Sequence, residues 1–115
     1  MPSYRVSVDI LDVRAGVRPQ DVLPAAEGIL ARTHQVEDRL LDVAHATSSW
    51  PQPQLHLRFL VPATERGTED AEAEAVAGVL VDDLDEFARC GRWELRRGPG
   101  RRWRLMATGV AISER

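Results

Sequence analysis

Gln54-Leu55-His56-Leu57-Arg58-Phe59-Leu60-Val61-Pro62 is the stretch whose reading decides the fold. Leu55, Leu57, Phe59 and Val61 alternate with His56, Arg58 and Leu60, and this period of two marks a strand with one buried face. Pro62 has no N–H to give a ladder and ends it. Immediately upstream, Ser48-Ser49-Trp50-Pro51-Gln52-Pro53 is a loop, because two prolines this close exclude regular pairing. Before it, Val36 to Thr47 carries Leu40, Leu41, Val43 and Ala44 and reads as a second strand, so the two form a hairpin.

Further upstream, Tyr4, Val6, Val8 and Ile10 alternate with Arg5, Ser7 and Asp9, which predicts a half-buried first strand. Arg14-Ala15-Gly16 turns the chain. Val22, Leu23, Ala26, Ile29, Leu30 and Thr33 then fall on one helical face, with Pro19 or Pro24 in the first turn and an end near His34-Gln35.

Downstream of the central strand, Thr68 is placed to cap a helix whose first turn carries Glu69 and Asp70, where negative charge suits the dipole. The stripe Val76, Val79, Leu80, Leu84, Phe87 and Ala88 carries this helix across residues 69–89. Gly91 stands where a left-handed residue closes a helix. Trp93 and Leu95 open another strand, Arg97-Gly98-Pro99-Gly100-Arg101 turns it back, and Trp103, Leu105 and Ala107 continue on the matching side.

Strand, helix, strand, strand, helix, strand is the order of an α+β, ferredoxin-like split βαβ, here with an extra C-terminal strand. The expectation is an antiparallel sheet with two helices on one face. At 115 residues the chain has room for one core, so residues 1–115 read as a single domain. The composition, 43 % apolar and 29 % charged, is that of a folded globule.

Cys90 is the sole cysteine, which excludes an internal disulfide and suits a reducing compartment. The first residues lack the basic start and apolar core of a secretory signal, and the acids of the second helix bar it from a bilayer. A cytoplasmic protein without membrane contact is expected. All fifteen basic residues are arginine, and coding bias explains that as well as guanidinium chemistry does. Residues 1–91 balance at −8 and residues 92–115 at +5, within a net charge of −3.

If the central hairpin is symmetric about Trp50-Pro51, Leu41 faces Leu60, Val43 faces Arg58 and His45 faces His56. The sheet face away from the helices then carries Leu41, Val43 and Leu60 beside two histidines and Arg58, with Met106 and Val110 near by. That face is more apolar than water tolerates, which marks an interface. Trp50, hard to bury between serine and proline, is a further anchor for a partner. This register puts Asp42 opposite Phe59 on the helix side, which counts against it, and a one-residue slip exchanges the faces.

Other clusters point to chemistry more weakly. His45 and His56, with Asp9 as a third, are too few and too loosely placed for zinc. The basic hairpin sets Arg92, Arg96, Arg102 and Arg104 on one face and Trp93, Leu95, Trp103 and Leu105 on the other. These arginines are candidate anion contacts. With a sequence pI near 5.6, nucleic acid is disfavoured, and Asp82, Asp83, Asp85 and Glu86 are available to neutralise them. Those four acids spread round a helix rather than converge on a cation. His34 is expected to meet the end of the first helix. Cys90, near a helix C-terminus with no base beside it, makes a poor nucleophile.

No residue set demands a particular reaction or cofactor. The sequence reading is a non-catalytic domain that works by association, most simply a homodimer through the open sheet face with Leu41, Val43, His45, Trp50, His56, Arg58 and Leu60. The alternatives are a small ligand binder or enzyme with Tyr4, His45 or His56 as polar groups, and an anion or nucleic-acid module built on the arginine hairpin.

Overall fold

The structure is a computed structural model that describes residues 2–44, 52–98 and 103–111. Elements follow in the order β1 (Ser3–Val13), α1 (Pro19–Ala31), β2 (Gln35–Ala44), β3 (Gln52–Leu60), α2 (Glu69–Leu84), β4 (Ala88–Gly98) and β5 (Arg104–Val110). The strands form one antiparallel sheet in the order β2-β3-β1-β4-β5. The expected α+β class with an antiparallel sheet and two helices is therefore present. The sheet differs from the four-stranded split βαβ in that β5 extends it to five strands beyond β4.

The alternation read in β1 and β3 builds the core. Tyr4, Val6, Val8, Leu55, Leu57 and Phe59 are buried with Val22, Ala26, Ile29 and Leu30 of α1 and Ala73, Ala77, Leu80, Val81 and Leu84 of α2 in one cluster. Both helices thus cover the same sheet face. Each fully buried leucine, valine or phenylalanine contributes about 1.5–3 kcal/mol by leaving water. Tyr4 stacks on Phe59, ring centres 5.9 Å apart, and donates its hydroxyl proton to Asp70 at the start of α2 at 2.6 Å.

Both helices end earlier than their periodicity implies. In α1 the amides of Thr33 and His34 turn back on the Leu30 carbonyl, so the helix stops at Ala31 and Thr33 is exposed. In α2 the bonds Asp85 N–H to Asp82 O and Phe87 N–H to Leu84 O tighten the last turn. β4 accordingly begins at Ala88, and Phe87 and Ala88 are not helical. Val79, expected in the buried stripe, is 55 % exposed, while the small Ala73 and Ala77 lie against the sheet. Gly91 is not a left-handed helix cap but a strand residue on which Leu11 packs, 3.1 Å from where a Cβ would stand. Thr68 precedes α2 without a side-chain capping bond.

The largest correction concerns the β2–β3 register. Leu41 pairs with Leu55, Val43 with Pro53, Leu40 with His56 and Gln35 with Leu60. From Asp38 to Ala44 this is a slip of five residues against the symmetric hairpin, an odd number, so the faces are exchanged there, while Gln35 and Val36 are displaced by six. The register sets Leu41, 47 % exposed, beside Leu55 on the helix side and sends Asp42, across from Gln54, to the open face. A bulge between Val36 and Asp38 adjusts the remainder of β2. Among the described residues no helix is long and apolar enough to cross a membrane.

Candidate functional site on the open sheet face

On the face away from the helices, strand pairing arranges side chains in rows that run across the sheet. One row reads Asp38, Arg58, Arg5, Arg96 and Leu105 on β2, β3, β1, β4 and β5. The next reads Leu40, His56, Ser7, Glu94 and Thr108, and beyond it Asp42, Gln54 and Asp9 stand side by side. This face is mostly polar, with Leu40, Leu60 and Leu105 also on it, and the register takes Leu41 off it. Leu41 belongs to the helix side. His56, Arg58 and Leu60 do lie on the open face, and His45 and Trp50 fall outside the described residues.

Three arginines in line on neighbouring strands repel one another, and such a row needs counter-charge. Arg58 has it from Glu37 at 3.0 Å and also donates to Ser3 Oγ at 2.9 Å. Arg96 has it from Glu94 at 2.9 Å, and Arg92 meets the other oxygen of the same carboxylate at 3.3 Å. Arg5, between them, has a fully buried Nε with no hydrogen-bond partner among the described residues. Buried donors are nearly always paired, so an orphan on a charged group stands out.

Trp103 explains how Arg5 is held. Its ring lies over Gly98, where a Cβ would come within 2.6 Å of it, so only glycine lets the indole lie flat. The guanidinium carbons of Arg5 and Arg58 stand 5.0 and 5.2 Å from the ring centre, within cation–π range. Two concavities open here. The larger, about 340 Å³, is lined by Arg5, Asp38, Leu40, His56, Arg58 and Trp103 among others. The smaller, about 150 Å³, holds Ser7, Asp9, Gln54, Arg92, Glu94 and Arg96, and both share Arg5 and His56.

His56 links the two. Its Nδ1 is 2.8 Å from Ser7 Oγ. Burial, and then the positive charge of Arg5, hold its pKa below the usual histidine value against the opposing pull of Asp42 and Asp9. The ring is therefore neutral at pH 7 and has one nitrogen free to accept a proton. Asp9 receives a bond from Gln54 Nε2 at 2.7 Å.

The arginine hairpin divides between two faces. A bulge between Leu95 and Arg96 lets Leu95 pair with Ala107 but Arg96 with Leu105. Trp93 and Leu95 keep to the helix side as expected, whereas Trp103 and Leu105 cross to the open side. Arg92 and Arg96 lie on the open face; Arg104 instead reaches Asp70 of α2 at 3.9 Å, where Arg97 also pairs. Arg102 lies outside the described residues. The acids of α2 meet other arginines, Asp85 with Arg14 at 2.7 Å and Asp83 with Arg32 at 3.3 Å, so Glu94 and Asp70 supply the hairpin's neutralisation.

Tyr4 is wholly buried, and its phenol is pushed well above its ordinary pKa by burial and then by Asp70. Cys90 is buried on β4, and burial raises its thiol to about 11. His34 contacts Thr33 Oγ1 at 2.8 Å and Glu72 at 2.7 Å, side chains rather than helix carbonyls. Among the described residues no group of three metal-binding side chains is found. Arg5, Ser7 and Trp103 are the site residues that sequence reasoning passed over. The alternation of β1 already put Arg5 and Ser7 on its outward side; what was missing was which strands flank it.

No protein-family profile matches the chain, and no curated protein matches it by sequence. Among solved structures it is similar to a phage SAM lyase in its apo state, with a TM-score of 0.50, 11 % identity, and coverage of 98 % of this chain and 90 % of that one. At that identity the likeness is one of fold.

Proposed function

We propose that the protein is a small ligand-binding domain that holds an anionic group on the open face of its sheet. The observation that carries the reading is the buried Nε of Arg5, without a hydrogen-bond partner among the described residues and lying between two arginines that are already ion-paired. A carboxylate or phosphate arriving there supplies the missing acceptor and the missing charge together, and charge-assisted bonds of this kind are the strong ones. Trp103 offers a flat apolar wall beside it, and Asp9 places negative charge on the far side of Ser7. A zwitterion with a planar ring finds a counterpart for each of its parts. The phage protein of similar fold is named for acting on SAM, which has that character; here the side chains of the face carry the argument.

The test is titration calorimetry with inorganic phosphate, AMP and S-adenosylmethionine on the wild type and on Arg5→Gln. Saturable heat with at least one probe, at least tenfold weaker in the variant, supports the reading. Equal binding by both proteins, or none by either at low salt, refutes it.

A second reading keeps association but moves it. Leu105 and Val110 on the edge strand β5 are 46 % and 68 % exposed, and an edge presents unpaired backbone groups to another chain. A homodimer along β5 would show as doubled mass in light scattering, reduced to the monomer by Val110→Lys. In this proposal β2-β3-β1-β4 is a split βαβ unit to which β5 is added, and the setting is the cytoplasm, as the lone cysteine suggests.

A further inference from the structure

We propose that Ser7 is a nucleophile activated by His56, and that the open face cleaves small esters that carry a negative charge. Ser7 and His56 stand directly opposite each other on β1 and β3, with Ser7 Oγ 2.8 Å from His56 Nδ1. A hydroxyl in hydrogen-bond reach of an imidazole nitrogen is the elementary unit of an activated nucleophile. The pair lies in a concavity open to solvent rather than in the core. Arg5, two residues along the same strand and face, lines the same concavity, and its Nε is unengaged among the described residues. Arg58 and Arg96 on either side are occupied by Glu37 and Glu94.

The step balances with the residues present and water. Ser7 Oγ forms a bond to the acyl carbon as its proton passes to His56 Nδ1. The ester C–O bond breaks and the alcohol leaves with that proton. A water molecule then attacks the acyl-serine, gives a proton to His56, and releases the acid while the proton returns to Ser7 Oγ. The ring must be neutral to begin. The charged groups around it are Arg5 and Asp9 from β1, Arg58 from β3, Asp38, Arg39 and Asp42 from β2, and Arg92, Glu94 and Arg96 from β4, and Trp103 covers the arginine end. Burial and Arg5 hold the imidazole in its basic form down to a lower pH than in free histidine. The preference for an anionic ester rests on the reading of Arg5 as an anion contact; the Ser7–His56 pair does not.

The experiment uses the full chain and two probes. A fluorophosphonate reports the nucleophile by peptide mapping, and the 4-nitrophenyl esters of acetate and of succinate report turnover. The expected results are an adduct on Ser7, absent in Ser7→Ala, and labelling at least tenfold slower in His56→Gln, with folding of each variant checked by circular dichroism. Labelling of the wild type should rise with pH through one ionisation below the ordinary histidine value of 6.5. The succinate ester should be preferred, and Arg5→Gln should remove the preference. No adduct on Ser7 in the folded wild type, or labelling unchanged by His56→Gln, overturns the inference while leaving Arg5-dependent phosphate binding standing. An adduct on Ser7 without charge preference overturns the anion reading and leaves the nucleophile.

Discussion

Replacing Tyr4 by phenylalanine removes one hydroxyl from the centre of the fold and nothing else. The ring keeps its place against Phe59, so no cavity opens, and the loss is the 2.6 Å bond to Asp70. Hydrogen bonds to charged groups contribute about 1.5–3 kcal/mol. Asp70 is part-exposed and keeps Arg97 as a partner, which puts the loss at the lower end, about 1.5 kcal/mol. For a domain of this size that lowers Tm by about 6 °C at neutral pH. The alkaline limb should behave in the opposite way. The buried phenol titrates above its ordinary value of 10.0, so the unfolded chain loses its proton first. Above pH 10 the wild type then loses about 1.4 kcal/mol per pH unit, a loss the variant lacks. The two stability curves should meet about one unit above pH 10. Tyr4 is the single tyrosine, so tyrosinate absorbance reports it without ambiguity. Urea titrations from pH 7 to 11, run beside that absorbance, decide the matter. A constant gap between the two proteins across the range would refute the reasoning.

Three further outcomes follow from the same contacts. Gly98→Ala places a methyl within 2.6 Å of Trp103, so the ring must lift from the sheet, costing about 1–3 kcal/mol; near-ultraviolet dichroism should show the indole released, and an unchanged spectrum would contradict the stacking. Arg5→Met removes the middle charge of the row and a donor unpaired among the described residues, at the expense of a cation–π contact, so stability by urea should stay within about 1 kcal/mol of wild type while anion binding falls. A loss of more than twice that would make Arg5 a structural residue. Cys90, with its thiol raised to about 11, should react with a thiol reagent only as fast as the chain opens, so that reaction at a free-thiol rate in native buffer would disprove its burial.

Much of the fold was legible in short-range pattern. The alternations of Tyr4 to Ile10 and Leu55 to Val61 read directly as the two central strands, because each has one face in the core and one in water. Helix ends were less legible: the turn-closing bonds after Leu30 and Leu84 leave no mark on a 3.6-residue period. Register was hidden for a different reason. The polar and apolar residues of 36–47 alternate too irregularly to choose between two pairings, and the bulge at Val36/Asp38 breaks even the correct one. The site suffered from that error, since the expected apolar face was an exchange of sides. Arg5 and Ser7 become notable once β1 is known to lie between β3 and β4, a long-range fact that no local spacing carries.

The bulge between Leu95 and Arg96 makes the C-terminal hairpin sensitive to chain length in an unusual way. Downstream of it, one arginine braces the sheet's last strand against α2 while Trp103 and Leu105 are turned outward. Deleting Met106 would restore an uninterrupted ladder and leave every pair on the face it occupies now, since Leu95 and Ala107 already share the helix side and Arg96 and Leu105 the open side. Deleting Leu105 as well would move Arg104 to the open face and the indole of Trp103 into the helix layer. The bulge thus gives the hairpin one residue of slack: a single deletion there is absorbed, and a second exchanges the faces of everything before it on β5.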